Sequence, residues 1–191
     1  VGVIISAWGG STVQAWISKN SRQSDLLKTI LPYDVTGHYL NMRPGFLFNG
    51  MISPLIPYSF KGVLWYQGES NTMDQFNPHL YRYLFKGMIK DWRNVWDHQK
   101  MPFYFVQLPN LHGGKDWPIL RESQEIVYEE LTNVEMATTI DIGESRKLHP
   151  QNKREVGKRL ANLALGCEYR IPAHHKYPEL KSVKKTGNTI I

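Results

Sequence analysis

The chain has 191 residues, of which 41% are hydrophobic and 12% aromatic, enough for one main domain with a substantial core. Its formal net charge is +6, but the Lys and Arg residues are scattered apart from a small group at 181–185, which argues against a nucleic-acid partner. No run approaches the roughly 18 apolar residues of a membrane-crossing helix, so no membrane span is predicted.

Residues 1–7 form a continuous apolar run that ends before a glycine pair, which predicts a strand buried on both faces of a parallel sheet. Because a domain rarely begins on its central strand, we expect the sheet to lack a strand that precedes Val1. The next predicted elements are helices over 12–18 and 25–30 (the latter capped by Ser24), a loop over 32–45, a short helix over 46–56 that ends at Pro57, and a strand over 61–66.

Pro78 is typical of a first helical turn and predicts a long amphipathic helix over 79–96 that covers the sheet. The remaining predicted elements are a strand over 102–108, a helix over 117–131, a strand over 136–140 and a helix over 152–165. Cys167, the only cysteine, is predicted to be buried at the end of that last helix. This alternation predicts an α/β fold, a three-layer α/β/α sandwich with a mainly parallel sheet.

Both ends of the chain resemble cut ends, so we expect the fold to be incomplete there. Residues 1–168 are assigned to the α/β domain, without its first strand. Residues 169–191 are predicted to be a linker and the start of a following β-rich domain, in which a Gly-Asn turn at 187–188 enters a strand that stops before it can pair.

Small and polar residues follow three of the predicted strands. They occur at 8–12, at 67–71 and at 141–144, and the third group leads on to His149. In open α/β sheets, reactive groups gather beyond the carboxyl ends of the strands. These segments are therefore expected to meet at one edge of the sheet, although each glycine in them also suits a simple tight turn.

Several of these residues can stabilise a negative charge. The turn at Gly9 and Gly10 can expose backbone N–H groups to an anion or to the oxyanion of an ester, and it has no lysine of the kind found in a phosphate-binding loop. The side-chain amides of Gln67 and Asn71 are hydrogen-bond donors of the type found in oxyanion holes. Glu69 is suited to orient these amides or to contact sugar hydroxyls. The alternative is that these side chains only satisfy backbone groups within the turn.

His149 is the best candidate among seven histidines for a general base. Asp141 and Glu144 precede it on the same connection and are candidates for the acceptor that orients its ring. The alternative is that His149 packs against or caps the following helix. The other histidines have no metal-ligand spacing, so no metal site is predicted.

At these residues the chain resembles the sialate O-acetylesterases and related carbohydrate acetylesterases of the SGNH (GDSL-like) hydrolase superfamily. Four blocks in order carry the resemblance and span nearly the whole chain. They are residues 3–10 with Ala15-Trp16, residues 48–55, the decapeptide 62–71, and Asp141-Ile142-Gly143-Glu144 running on to 149–153. The stretches 107–108, 120–124 and 156–161 also match family positions.

The resemblance implies a serine nucleophile in a Gly-Gln-Ser-Asn block, a histidine base before a proline, and oxyanion donors from glycine and amide residues. This chain contains no Gly-Gln-Ser-Asn, so the nucleophile is expected upstream of Val1. Relatives often carry an aspartate two or three residues before the histidine, where Lys147 and Arg146 stand here. Glu144, Asp141 or a backbone carbonyl is left to orient His149.

The function that the resemblance implies is removal of O-acetyl groups from sialic acid or related sugars, without cofactor or metal. Trp8 and Arg121 are expected to shape the sugar side of the site. The expected partners are an acetylated sugar and the remainder of the same protein. The family also implies a secreted, periplasmic or lysosomal protein.

Two alternatives stay open at this point. Ser70 is a second candidate nucleophile, although Gly68 supplies only the first glycine of a Gly-x-Ser-x-Gly elbow. The other alternative is a non-catalytic carbohydrate-binding fragment, because the chain contains no other convincing nucleophile.

Overall fold

The sheet at the centre of the fold has three parallel strands. The computed structural model describes residues 2–21, 25–30, 39–173, 182–187 and 189–190. Strands β1 (Val63–Trp65), β2 (Phe103–Val106) and β3 (Val134–Ala137) lie in the order β1-β2-β3, with Val63 opposite Phe103 and Phe103 opposite Val134. All four residues of β2 are buried, as expected for a central strand with helices on both faces.

Four α-helices accompany the sheet in the described part of the chain: α1 (Asp25–Ile30), α2 (Tyr81–Val95), α3 (Trp117–Glu130) and α4 (Lys153–Cys167). Short 3-10 turns and one π-helical turn fill the connections, at Val13–Trp16, Leu40–Met42, Phe48–Ile52 (the π turn), Ser53–Leu55, Glu69–Thr72 and Pro78–Leu80. Near the C-terminus, β4 (Lys185–Thr186) pairs antiparallel with β5 (Thr189–Ile190).

The helices lie on both faces of the sheet. Because side chains alternate along a strand, Phe103 and Phe105 of β2 point into the larger core, which contains the buried sides of α2 and α3. Tyr104 and Val106 point the other way, into a smaller core that α4 closes with Val156, Leu160 and Leu163. This arrangement confirms the predicted three-layer α/β/α sandwich.

The sequence signals for helix starts correspond to observed caps. Asn77, just before Pro78, accepts a hydrogen bond from the backbone N–H of His79 at 3.0 Å, and α2 continues from that turn. Asn152 caps α4 by accepting from Glu155 N–H at 3.3 Å. The predicted cap Ser24 and most of the predicted loop over 32–45 lie outside the described residues. Among the helices described, none is both long and apolar enough to cross a membrane.

The predicted first strand is wrong for the residues described. Residues 2–7 belong to no strand, and the side chains of Val3 and Ile5 are 78% and 86% exposed. A strand needs a hydrogen-bonded neighbour, and no described strand pairs with this segment. An apolar run predicts a buried strand only where a neighbouring strand is present to pair with it.

Three smaller predictions also differ from the structure. The predicted helix over 12–18 is only a 3-10 turn over Val13–Trp16, because the backbone becomes extended at Ile17 (φ −96°, ψ 131°). Cys167 is the last residue of α4, as predicted, but it is exposed since α4 extends past the sheet-facing positions. The C-terminal strand does pair, with Lys185–Thr186 through the turn at Gly187.

A buried arginine holds the amino ends of β2 and β3 together. The guanidinium of Arg93 donates to the carbonyl oxygens of Met101, Thr132 and Asn133 at 2.8–3.2 Å. Burial lowers its pKa below the usual range. We expect Arg93→Met to lower the free energy of unfolding by about 2–4 kcal/mol, because these carbonyls lose their donor.

Urea denaturation followed by circular dichroism measures this effect. The matched control is Arg82→Met on the exposed side of α2, where a change within roughly 0.5 kcal/mol is expected. Equal losses in the two variants would contradict the structural role of Arg93.

Candidate active site

The turn after β1 sets the geometry of the site. Gly68 has φ +146°, and a Cβ at this position would lie 2.8 Å from Leu120 Cδ2 and 3.3 Å from Leu108 Cδ1. A glycine is therefore required both by the backbone angle and by the close approach of α3. The turn leads directly into the 3-10 helix Glu69–Thr72, beyond the carboxyl end of β1.

Two buried amides connect this turn to the segment after the N-terminal glycine pair. Gln67 Nε2 donates to Asn71 Oδ1 at 2.8 Å and to Ser11 O at 2.9 Å. Asn71 Oδ1 also accepts from Val13 N–H at 3.0 Å, and Asn71 Nδ2 donates to Gln14 Oε1 at 3.0 Å. Two segments more than fifty residues apart are thereby held together, as the convergence of strand ends predicted.

The same contacts argue against Gln67 as an oxyanion donor. Both of its amide N–H groups already donate within the protein, and its Oε1 accepts from Tyr81 OH at 3.1 Å. The alternative reading of a structural amide therefore fits Gln67 better. Asn71 differs, because within the described residues only one of its two amide N–H groups is engaged, with Gln14, but the side chain is 2% exposed.

The glycine pair forms an exposed turn beside these amides. Gly10 has φ +68°, and Gly9 O accepts from Asn41 Nδ2 at 3.0 Å. Thr12 N–H donates to Asn41 O at 3.2 Å, so the turn is anchored on both sides. Within the described part of the chain, the N–H groups of Gly9 and Gly10 make no hydrogen bond. They are open donors of the kind an oxyanion needs.

Glu69 and His149 lie within electrostatic range of each other. Burial raises the pKa of the Glu69 carboxyl above its usual 4.5, and the charges of Lys153 and His149 act in the opposite direction. Lys153 itself donates to Tyr66 OH at 3.1 Å. The contact of Lys153 with Tyr66 thus joins the start of α4 to the end of β1, and the Glu69 carboxyl group lies in the electrostatic field of Lys153 and His149.

Asp141 is held by α4. Its two carboxylate oxygens accept from Arg159 Nη1 and Nη2, each at 2.6 Å. Those hydrogen bonds hold the pKa of Asp141 below its usual 3.8. The sequence made Asp141 a candidate for orienting His149, but the structure directs the carboxylate to Arg159 instead.

We expect Asp141→Asn to change kcat/KM by no more than about threefold and to lower the free energy of unfolding by up to about 1 kcal/mol, since this pair is half exposed. The pair of Asp141 and Arg159 stabilises the fold at pH values above the pKa that Asp141 has in the unfolded chain. This stabilisation is lost as the pH falls through the lower pKa that Asp141 has in the folded protein. Thermal unfolding between pH 2 and 6 measures the loss. A hundredfold loss of activity would contradict this prediction and would indicate that Asp141 takes part in catalysis.

Glu144 closes the loop that carries His149. Its Oε1 accepts from Gln151 N–H at 2.9 Å and its Oε2 pairs with Lys147 Nζ at 2.5 Å. These two contacts hold the pKa of Glu144 below its usual 4.5. The carboxylate lies across the base of the loop, so it fixes the path of the backbone on which His149 is carried.

The three remaining candidates, Ser70, Arg121 and Trp8, lie in different environments. Ser70 is 4% exposed and lies inside the 3-10 helix Glu69–Thr72, not on the exposed strand-to-helix elbow that a nucleophile needs. Arg121 Nη2 donates to Gln107 Oε1 at 3.4 Å, and its buried Nε has no hydrogen-bond partner. Trp8 is 50% exposed beside the glycine turn.

The sequence reasoning missed four supporting residues. Arg159 binds Asp141, and Tyr66 accepts from Lys153. Tyr81 and Gln124 both donate to Gln67 O, and Gln124 also accepts from Leu108 N–H at 2.9 Å. Gln124, Lys153 and Arg159 all lie in blocks that resemble the esterase family. The resemblance therefore indicated these segments, but it did not predict which side chains form hydrogen bonds there. No three His, Cys, Asp or Glu side chains of the described residues are grouped to hold a metal ion.

Comparison with known proteins agrees with the geometry. Residues 1–166 match the family model described as carbohydrate esterase, sialic acid-specific acetylesterase. The sialate O-acetylesterase of Homo sapiens is 32% identical over 183 residues, covering 84% of this chain and 34% of that protein. The one from Mus musculus is 29% identical and covers 84% and 38%.

Among solved structures, a carbohydrate acetylesterase from Xanthomonas citri superimposes with a TM-score of 0.80 at 37% identity. The match covers 94% of this chain and 39% of that one. The chain therefore spans between a third and two fifths of the length of these relatives. From the match over residues 1–166, the chain belongs to the family of sialic acid-specific acetylesterases among the carbohydrate esterases.

Proposed function

We propose that this chain is the base-carrying part of an esterase that removes O-acetyl groups from sialic acid or a related acetylated sugar. The observation that supports it most is that the turn carrying Glu69, whose carboxyl group is electrostatically coupled to His149, is hydrogen-bonded through Gln67 to the segment after the glycine turn. An acid-base pair and open backbone donors at one sheet edge suit acyl transfer better than simple sugar binding.

In the proposed reaction, a serine hydroxyl attacks the acetyl carbonyl while His149 Nε2 or Nδ1 takes its proton. The negative charge on the carbonyl oxygen is stabilised by the N–H groups of Gly9 and Gly10, which are exposed. His149 then returns the proton to the departing sugar hydroxyl. A water molecule releases acetate by the same steps in reverse order.

Glu69 is the carboxylate that we assign to His149. Asp141 is occupied by Arg159, and Glu144 is occupied by Gln151 and Lys147. The Glu69 carboxylate stabilises the imidazolium that forms when His149 holds the proton. Glu144 is a positioning residue in this scheme, because it acts through the loop and touches neither the ring nor the ester.

The serine is placed upstream of Val1, on a strand beside β1. Among the described strands, β1 pairs with β2 alone, which leaves its other edge open for such a strand. Leu64 of β1 is 59% exposed, which is consistent with further protein covering this strand. Ser70 is not proposed, because an ester cannot reach a buried hydroxyl within the 3-10 helix.

The test compares this chain alone with the longer polypeptide that carries the upstream serine, using O-acetylated N-acetylneuraminate and 4-nitrophenyl acetate. We expect acetate release only from the longer form, and no effect of Ser70→Ala on kcat beyond a change in stability. Release by the chain alone that disappears in Ser70→Ala would overturn the assignment of the nucleophile. No release by either form would favour a carbohydrate-binding role.

The proposal includes a secreted, periplasmic or lysosomal location, which follows from the family alone. Fractionation of cells that express the longer polypeptide, followed by immunoblotting, tests it. Recovery only in the cytosol would contradict this part.

A further inference from the structure

An uncharged aromatic cleft adjoins the glycine turn. It has a volume of about 430 Å³ and is lined by Trp8, Gly10, Tyr39, Leu40, Asn41, Met42 and Met73. Trp8 and Tyr39 are 50% and 77% exposed, although large aromatic side chains gain free energy by burial. Exposed apolar groups gathered in one concave patch are typical of a binding site.

The cleft and the proposed oxyanion site share their walls. Gly10 belongs to both, and Asn41 Nδ2 donates to Gly9 O while Asn41 O accepts from Thr12 N–H. Thr12 Oγ1 also donates to Met42 O at 3.2 Å. Three hydrogen bonds therefore fix the floor of the cleft to the glycine turn. A group seated in the cleft is necessarily close to an acetyl group held at that turn.

The chemistry of the walls restricts the occupant. None of the lining residues that the structure describes is charged, and one of the two side-chain N–H groups of Asn41 is directed to Gly9 O. A sugar carboxylate would lose its hydration there without gaining a cation. The apolar face of a neutral pyranose suits these walls, since its C–H groups pack on aromatic rings and its hydroxyls remain in water.

Resting on the proposed function, we infer that this cleft binds a neutral hexose glycosidically linked to the acetylated sugar. The acidic sugar lies on the His149 side of the glycine turn, and its neutral neighbour stacks on Trp8 and Tyr39. A linked glycan is accordingly a better substrate than the free monosaccharide.

Tryptophan fluorescence tests binding without any need for turnover. Of the six tryptophans, Trp16, Trp65, Trp92 and Trp117 are buried and Trp96 is half-buried, so Trp8 is the one most open to a ligand. Titration with lactose is expected to quench and blue-shift the emission of the protein. Trp8→Phe is expected to abolish that change. A lactose titration without any change, or an equal change in Trp8→Phe, would overturn the inference.

Kinetics on the longer, serine-carrying polypeptide provide the second test. The two substrates are O-acetylated sialyllactose and O-acetylated N-acetylneuraminate. Tyr39→Ala is expected to lower kcat/KM for the linked substrate by about tenfold, which corresponds to about 1.4 kcal/mol, and to leave kcat/KM for the monosaccharide within about twofold. Tyr169→Ala, exposed beyond α4, is the matched control and should change neither value.

Equal losses on both substrates would overturn the inference while leaving the esterase assignment intact. If no substrate is hydrolysed, the proposed function fails, and the lactose titration alone decides whether the cleft binds a neutral sugar.

Discussion

Replacement of His149 by alanine is expected to lower kcat/KM for an acetylated sugar by roughly 10²–10⁴-fold, the usual contribution of a general acid-base residue. The imidazole lies in an exposed loop before α4, and Glu69 is the carboxyl group on which its charge acts. Without the imidazole, no other described group beside Glu69 is suited to take the serine proton. Acetate release at saturating and at low substrate concentration separates kcat from KM.

His98→Ala is the matched control, because His98 is also exposed and lies in a loop at the far end of α2. Its kcat/KM should stay within about twofold of wild type. Added imidazole is expected to restore part of the activity of the His149 variant. Full activity in His149→Ala, or a loss that follows only from a lower melting temperature, would contradict the role of His149 as base.

Glu69→Gln is expected to lower kcat by about 10²-fold or more without lowering stability. Burial raises the pKa of Glu69, which means that the ionised carboxylate is less favourable in the folded protein than in the unfolded chain. Stability of the wild type therefore falls as the pH rises from the unfolded pKa, 4.5, through the folded one. Glutamine does not ionise, so the variant should be at least as stable as wild type at pH 7.

Thermal melts at pH 4 and pH 7 and the pH profile of kcat/KM check this prediction. Activity of the wild type is expected to decrease with falling pH while the pH is still above 4.5, because protonation removes the charge that stabilises the imidazolium. Glu122→Gln, on the exposed side of α3, is the control and should change neither property. A Glu69→Gln variant that is destabilised and fully active would contradict the assignment.

The architecture could be predicted from the sequence because local patterns determine it. The apolar stripe of α2, the helix-start signals Pro78 and Asn152, and the continuous apolar run of β2 each depend on residues close in the chain. The strand over residues 1–7 could not be judged in this way, because whether an apolar run is buried depends on a neighbour that the local pattern does not contain.

The location of the candidate site could be predicted from the sequence, but most of its side-chain hydrogen bonds could not. Gln67 and Glu69 follow β1, as their positions indicated, and a hydrogen bond from Gln67 to Ser11 O, not a strand, brings the segment after Gly10 beside them. Whether an amide side chain is free or engaged depends on distant residues such as Tyr81 and Gln14. For the same reason, spacing alone could not distinguish Asp141, which pairs with Arg159 on α4, from Glu69.

The buried amide pair of Gln67 and Asn71 has a consequence for the energetics of the reaction. Protein groups, not water molecules, fix the dipoles of these amides and hold the backbone from Ser11 to Gln14 in place. Donors that are already oriented need not reorganise when charge develops on an ester. In the proposed reaction, the backbone donors are thus arranged during folding, and the activation barrier does not include that work.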